Sequence, residues 1–146
     1  MSNRVKERTA VGEQLDRWAS PALRVSIGVV FVWFGVLKVI GSSPVGYLVS
    51  AAVPWVDPGF LVPALGWFEV ALGAVLLIGR LPRLALVAVA VHLAGTFVVF
   101  VQAPALVMTE GNPLLLTTSG EFVLKNVVLI CAALVLLARV ERRRTS

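Results

Sequence analysis

The chain has 146 residues, of which 58% are hydrophobic and 14% charged, and its mean hydropathy is +0.91. A soluble domain of this length has roughly 45–50% apolar and about 25% charged residues, so the composition excludes a soluble enzyme, a disordered tail and a coiled coil. It indicates a single-domain integral membrane protein. The formal charge is +5, but the basic residues lie at the ends of apolar segments, so membrane topology explains them better than nucleic-acid binding.

The N-terminal segment, residues 1–20, is polar and mixed in charge. Within it Val11, Leu15 and Trp18 recur at helical spacing, which predicts a short interfacial helix; a frayed tail with chance spacing is an equal alternative. Ser20 and Pro21 have the residue types of a helix N-cap and first turn, so the first membrane helix is expected to begin there.

Four continuous apolar runs follow, each close to the roughly 20 residues that cross the hydrocarbon core. They cover residues 22–40, 61–79, 84–102 and 121–138. Because continuous runs in lipid form helices, the predicted fold is an all-α, four-helix membrane bundle over residues 21–138. Two long, largely apolar outer loops, 41–60 and 103–120, are expected to dip into the outer leaflet or to cover the bundle as short helices.

The distribution of charge predicts the orientation. Most Lys and Arg residues lie in the N-terminal segment, in the tight turn 80–83 and in the basic tail 139–146, whereas the two outer loops carry Asp57 and Glu110 and no Lys or Arg. By the positive-inside rule both termini are expected to be cytoplasmic, and the chain is expected to be a multi-pass protein of the cell membrane.

Ionisable and strongly polar residues occur in every span, although an ionisable group costs about 2.5–3.5 kcal/mol at a helix centre. They are Lys38 in span one, Glu69 in span two, His92 and Thr96 in span three, and Glu121, Lys125 and Asn126 in span four. At about 1.5 Å of rise per residue, all of them fall in the outer half of the bilayer. The sequence therefore predicts one shared polar pocket beneath the outer surface.

Small residues accompany these polar groups on the same helix faces. Gly28 and Gly35 share a face with Lys38, Gly66 and Gly73 share one with Glu69, Gly95 lies beside His92, and Val128 and Ala132 lie on the face of Glu121 and Lys125. Because small residues allow membrane helices to approach closely, the polar side chains are expected to point into the bundle.

Each candidate also has a purely structural interpretation. Lys38 would snorkel to the outer headgroups, and His92 would be a packing residue with one hydrogen bond. Glu121 would complete a capping box with Thr118, and Lys125 would only pair with Glu121. Glu69 is the hardest to explain in this way, because a carboxylate at that depth needs a partner.

Two tryptophans complete the candidate site. Trp33 and Trp67 flank the polar positions and are candidate ligand contacts, with packing and lipid contact as the alternative. Neither the lone Cys131 nor the lone His92 supports a multi-residue metal site, an internal disulfide or a CxxC redox centre, so no metal is predicted.

Several stretches together resemble the DoxX family of small bacterial membrane proteins. These are FVWFGVLK (31–38), GWFEVALG (66–73) with Gly79-Arg80, HLAGTF (92–97) and LKN (124–126), in that order. The resemblance covers residues 21–138 and implies a four-helix membrane bundle. Some members are linked to quinone-dependent oxidation of sulfur compounds and others to membrane redox complexes with soluble enzymes. Relatives that use paired cysteines are not matched, because Cys131 stands alone.

The leading hypothesis is a membrane subunit whose polar cavity binds a small molecule, a quinone, and supports a redox complex. His92 would donate a hydrogen bond to a quinone carbonyl, Lys125 would stabilise negative charge on the ring and Glu69 would relay protons. No covalent cofactor is expected, and electrons would come from a partner protein. The alternatives are a small-solute or ion transporter, for which a homo-oligomer is expected, and a non-catalytic membrane anchor.

Overall fold

The structure is a computed structural model that describes the backbone of residues 2–145 and the side chains of residue 14 and residues 17–142. Four helical segments are long and apolar enough to cross a membrane: Arg17–Val39, Pro58–Ile78, Pro82–Gln102 and Thr118–Arg142. The predicted four-helix membrane bundle is therefore confirmed. The proposed apolar face of the N-terminal segment depends on Val11 and Leu15, whose side chains lie outside the described residues.

The elements in chain order are α1 (Ser2–Val39), α2 (Gly46–Ala52), α3 (Pro58–Ile78), α4 (Pro82–Gly95), a 3₁₀ turn (Thr96–Val98), α5 (Val99–Gln102), α6 (Pro104–Val107), β1 (Met108–Thr109), β2 (Asn112–Leu116), α7 (Thr118–Leu124) and α8 (Asn126–Thr145). Spans one and two are α1 and α3. Span three is α4 continued through the 3₁₀ turn into α5, and span four is α7 continued into α8.

The expected helix start at Ser20 and Pro21 is wrong, because α1 runs through both residues. A proline inside a helix removes one backbone hydrogen bond and leaves a carbonyl without its donor. Here that carbonyl belongs to Arg17, at the exposed end of the first candidate span, where water and headgroups can replace the lost donor. The N-terminal segment therefore joins span one without a break.

Helices α1 and α3 pack antiparallel through two glycine crossings. A Cβ built on Gly35 would lie 2.6 Å from the Gly66 carbonyl oxygen, and one built on Gly73 would lie 2.6 Å from the Gly28 carbonyl oxygen. The two backbones are thus in direct contact at both crossings, as small residues permit in membrane helices. The predicted small-residue faces of these two spans are confirmed.

Helices α4 and α8 form the second pair and close the half of the bundle nearest the termini. A cluster of apolar side chains fills this half, and all are at most 9% exposed: Ile27, Leu72, Leu76, Leu86, Val89, Ala133 and Leu136. Arg83 Nε lies 2.9 Å from Glu141 Oε1, and Arg139 donates to the Ser20 hydroxyl. These contacts bring the start of span one, the 80–83 turn and the end of α8 together at one end of the bundle.

The opposite end is covered by the two loop segments. The short helices α2 and α6 agree with the prediction, and Leu48, Val99, Val107 and Val123 form a second buried cluster beneath them. The loop 103–120 also contains a small antiparallel hairpin, β1–β2, that the prediction missed. Its signal in the sequence is Glu110-Gly111, which supplies the two positive φ angles (52° and 71°) of a tight hairpin turn.

Candidate functional site

Glu69 and His92 lie at the middle of their spans. Glu69 is eleven residues from Pro58 and nine from Ile78, and His92 is ten residues from either end of Pro82–Gln102. At about 1.5 Å per residue, Glu69 is roughly 16 Å below the start of α3. Because α3 begins earlier than the sequence predicted, Glu69 is deeper than expected, whereas His92 is at the predicted depth near the middle of span three and Lys38 lies near the outer end of span one.

Lys38, Glu69 and His92 form one hydrogen-bonded set, called here the carboxylate cluster. Lys38 Nζ donates to Glu69 Oε2 at 2.6 Å, and His92 Nε2 is 2.8 Å from Glu69 Oε1. Lys38 and Glu69 are only 6% and 7% exposed. Lys38 therefore does not snorkel to the headgroups, and each oxygen of Glu69 holds one donor.

The glycine crossing positions this cluster. A Cβ built on Gly66 would lie 2.8 Å from the Cβ of Lys38, so α1 and α3 approach closely where Lys38 reaches toward Glu69. His92 comes from α4 and lies between two aromatic rings, with centroid distances of 5.9 Å to Phe31 and 5.5 Å to Phe68. The carboxylate cluster thus joins three spans through side chains that are buried or half-buried.

A second polar contact joins spans three and four. Asn126 Nδ2 donates to Thr96 Oγ1 at 2.9 Å, and Thr96 Oγ1 donates to the Leu93 carbonyl at 2.6 Å. Both spans are irregular at this point, with a 3₁₀ turn from Thr96 to Val98 in one and a break at Lys125 in the other. Short 3₁₀ stretches within helices often mark strained or functional positions.

Both polar contacts lie in the wall of one cavity of about 460 Å³. Its polar lining consists of Lys38, Glu69, His92, Thr96, Lys125 and Asn126, and most of the rest is aliphatic or aromatic. A mostly apolar cavity with a few convergent polar groups is the usual form of a small-molecule site. The structure therefore brings six of the nine predicted site residues to one cavity.

The other three predicted residues lie elsewhere. Trp33 and Trp67 are 66% and 63% exposed and do not line the cavity, which agrees with their alternative role in lipid contact. Glu121 is exposed and also lies outside the lining. No ion pair joins Glu121 to Lys125 among the residues that the structure describes, and Lys125 is exposed as well as cavity-lining.

The predicted capping box at Thr118 is wrong, because Thr117 is the N-cap of α7. The Thr117 amide donates to the Val107 carbonyl at 3.1 Å, and its hydroxyl donates to the Leu106 carbonyl at 2.6 Å. These contacts hold Thr117 in the extended conformation of a cap, and its hydroxyl accepts from the Gly120 amide. A loop contact that no local pattern reveals therefore sets the start of span four.

The predicted inner face of span four is wrong at Glu121 and Val128, whereas Lys125 lines the cavity and Ala132 packs against the buried apolar cluster. Val128 is 69% exposed, whereas Val123, Ala133 and Leu136 are buried. Span four is leucine- and valine-rich on every side, so its inner face cannot be read from hydrophobic spacing. The charged residues Glu121 and Lys125 do not indicate the inner face, because both lie close to the outer end of the span, where a charged side chain can reach the headgroups.

Sequence reasoning also missed part of the cavity wall. Residues of α2, among them Leu48 and Val49, cover the cavity from the loop, and Phe34 and Phe122 line it from α1 and α7. The apolar character of the 41–60 loop is the sequence feature that could have indicated that α2 lines the cavity. Among the described residues, no three His, Cys, Asp or Glu side chains are grouped as metal ligands would be.

Fold and site define a four-span helical membrane protein with a mostly apolar cavity into which a few polar side chains converge. The DoxX family model matches residues 20–102, more than half of the chain, so the protein belongs to the DoxX family and is a multi-pass membrane protein. The match includes the three residues of the carboxylate cluster. Comparison with curated proteins and with solved structures gave no significant match.

Proposed function

We propose that the cavity binds a quinone headgroup and that the protein serves as the membrane subunit of a redox complex. One observation carries the proposal: a charged, fully engaged carboxylate cluster lies in the wall of an otherwise apolar cavity of about 460 Å³ within the membrane. That volume lies within the roughly 300–1,000 Å³ typical of small-molecule sites.

The lining matches the chemistry of a quinone ring, which is flat and apolar except for its carbonyl acceptors. Phe31, Phe34 and Leu93 supply apolar contacts, and the Lys125 ammonium and Asn126 amide supply donors. Such donors hold a carbonyl in place and offset negative charge that develops on it. His92 lies at the junction of the apolar wall and the carboxylate cluster; because its Nε2 is bonded to Glu69, its Nδ1 would donate to the ligand when the ring is protonated.

The carboxylate cluster offers a route for protons. Quinone reduction to quinol consumes two electrons and two protons. In this proposal His92, at the middle of span three, is the cluster member that delivers protons to the ligand. Glu69 connects His92 to Lys38, which lies at the outer end of α1, so a proton that leaves His92 is replaced through Glu69. The sequence holds a single cysteine and a single histidine, and in this proposal the two electrons come from a partner redox protein.

The structure does not favour the transporter alternative. Below the carboxylate cluster, Ile27, Leu76 and Val89 are each at most 1% exposed and fill the bundle with apolar atoms. An ion or polar solute would have to cross this packed region without polar partners.

The test is ligand-induced stabilisation of the purified protein. Decylubiquinone and a short-chain menaquinone analogue are added separately, and the thermal unfolding temperature is measured for wild type, His92→Ala and Glu69→Gln. Stabilisation of wild type that is reduced in both variants supports the proposal. Glu141→Gln, at the exposed pair with Arg83, is the matched control and should respond like wild type. If neither quinone alters wild type, the proposal is wrong.

A further inference from the structure

One side of the cavity is closed by side chains alone. Phe34 on α1 and Phe122 on α7 meet edge to face, with ring centroids 5.8 Å apart and an interplanar angle of 76°. Val30, one turn from Phe34, and Lys125, directly after α7, also line the cavity. Phe122 is 36% exposed and Lys125 is exposed, so the same residues face both the cavity and the outside of the bundle.

The other sides are closed by backbone contact or tight packing. The glycine crossing at Gly35 and Gly66 seals α1 against α3, and the hydrogen bond between His92 and Glu69 joins α4 to α3. Helix α2 covers the outer end, where Tyr47 bonds to Ser119. The apolar cluster around Leu76 forms the floor.

The surface outside the aromatic pair faces hydrocarbon. Residues 30–34 and 122–125 lie inside the candidate spans Arg17–Val39 and Thr118–Arg142. Their exposed neighbours Val29, Trp33 and Val128 are apolar, as lipid-facing residues are. A molecule that passes between Phe34 and Phe122 therefore comes from the bilayer.

We infer that the gap between α1 and α7, at Val30, Phe34, Phe122 and Lys125, is a lateral portal that holds the hydrocarbon tail of the ligand. This inference rests on the proposed function and narrows the ligand to amphiphiles, with a ring in the cavity and a chain that extends into the lipid. The carbonyls reach Lys125 and Asn126 while the chain passes the aromatic pair. Water-soluble molecules of the same ring chemistry have no comparable entrance.

The test is photolabelling in lipid nanodiscs with a benzoquinone that carries a diazirine on its alkyl tail. Adducts are expected within residues 30–34 and 122–129, and excess decylubiquinone should suppress them. Val30→Trp, which fills the gap from the cavity side, should reduce this labelling at least about tenfold, the effect of some 1.4 kcal/mol. Val29→Trp is the matched control, because Val29 is 51% exposed and does not line the cavity, and its labelling should stay at the wild-type level.

The failures of the two proposals are distinguishable. Suppressible adducts on α2 instead of α1 and α7, or equal labelling of Val30→Trp and wild type, would overturn the portal while quinone binding stands. The portal would also be overturned if a sulfonated, lipid-insoluble quinone stabilised the protein as well as decylubiquinone does. If no quinone stabilises or labels the wild-type protein, the proposed function itself fails. If Val30→Trp does not fold, Phe122→Trp is used in its place and should reduce the labelling to the same extent.

Discussion

At the scale of single residues, Glu69 holds the site together. Its two oxygens each engage one donor, from α1 and from α4, and the Lys38–Glu69 pair is almost completely buried. Taking such charges out of water is costly, and the cost is offset only while each charge keeps its partner. The cluster is therefore sensitive to the loss of any single member.

Replacement of Lys38 by Met should lower the free energy of unfolding by about 3 kcal/mol, because it leaves the Glu69 carboxylate buried with His92 as its remaining partner. The measurement is chemical unfolding in mixed micelles. Arg83→Gln breaks the exposed pair with Glu141 and should change stability by less than about 1 kcal/mol. Equal effects of the two substitutions would show that Lys38 is not a buried partner. The double variant Lys38→Met, Glu69→Gln should recover part of the loss.

Sequence reasoning predicted that Glu69 and His92 would share one pocket, for a simple physical reason. A carboxylate or imidazole in mid-span needs a partner, and few polar residues were available to Glu69 and His92. Whether Lys38 would snorkel or turn inward depends on how closely α1 approaches α3. Whether the Lys125 side chain points into the bundle depends on the break in span four at that residue. Neither property is a local feature of the sequence.

At the scale of elements, the glycine crossings determine how close α1 and α3 lie. Gly35→Ala would place a Cβ 2.6 Å from the Gly66 carbonyl oxygen and 2.8 Å from the Val70 amide nitrogen. Since neither atom belongs to a flexible side chain, the helices must move apart, and a loss of about 2 kcal/mol in unfolding free energy is expected.

Gly95→Ala provides the matched comparison within another membrane helix. Apart from the neighbouring residues and the backbone of its own helix, no atom lies within 4 Å of a Cβ built on Gly95, so the substitution should be neutral or stabilising by up to about 1 kcal/mol. Both variants are compared by the same unfolding experiment. A Gly35→Ala protein as stable as the Gly95→Ala protein would contradict the close crossing.

The hydrogen bond between Asn126 and Thr96 connects the irregular parts of spans three and four. A double-mutant cycle with Thr96→Val and Asn126→Leu should give a coupling energy of about 0.6 kcal/mol, the average for hydrogen bonds between membrane helices. The readout is again unfolding in micelles. A coupling energy of zero would mean that the contact contributes nothing to stability and that other interactions fix the two irregular turns.

The four spans were predictable because continuous apolar runs of about 20 residues have one solution in lipid. The ends of the helices were harder to predict. Thr117 caps α7 through contacts with the 106–107 backbone, and Pro21 lies within α1 rather than at its start. The β1–β2 hairpin turns at two positive-φ residues, Glu110 and Gly111, and the apolar character of the surrounding loop concealed this signal.

At the scale of the whole molecule, the basic segments lie together at one end of the bundle, and the positive-inside rule predicts that this end faces the cytoplasm. In a Cys131→Ala background, a cysteine at Glu110 should be labelled by an impermeant maleimide in intact cells, and one at Arg142 only after permeabilisation. Labelling with the opposite pattern would invert the orientation. Cys131→Ala alone is the unlabelled control.

The mid-span position of Glu69 also exposes the site to the electrical state of the cell. A full crossing of the bilayer by one elementary charge corresponds to about 2.3 kcal/mol per 100 mV. A proton that travels to Glu69 from the aqueous phase on the side of the two outer loops crosses about half of that voltage drop, or about 1.2 kcal/mol per 100 mV. Proton transfer to the cluster, as proposed above, would therefore be driven or opposed by the membrane potential.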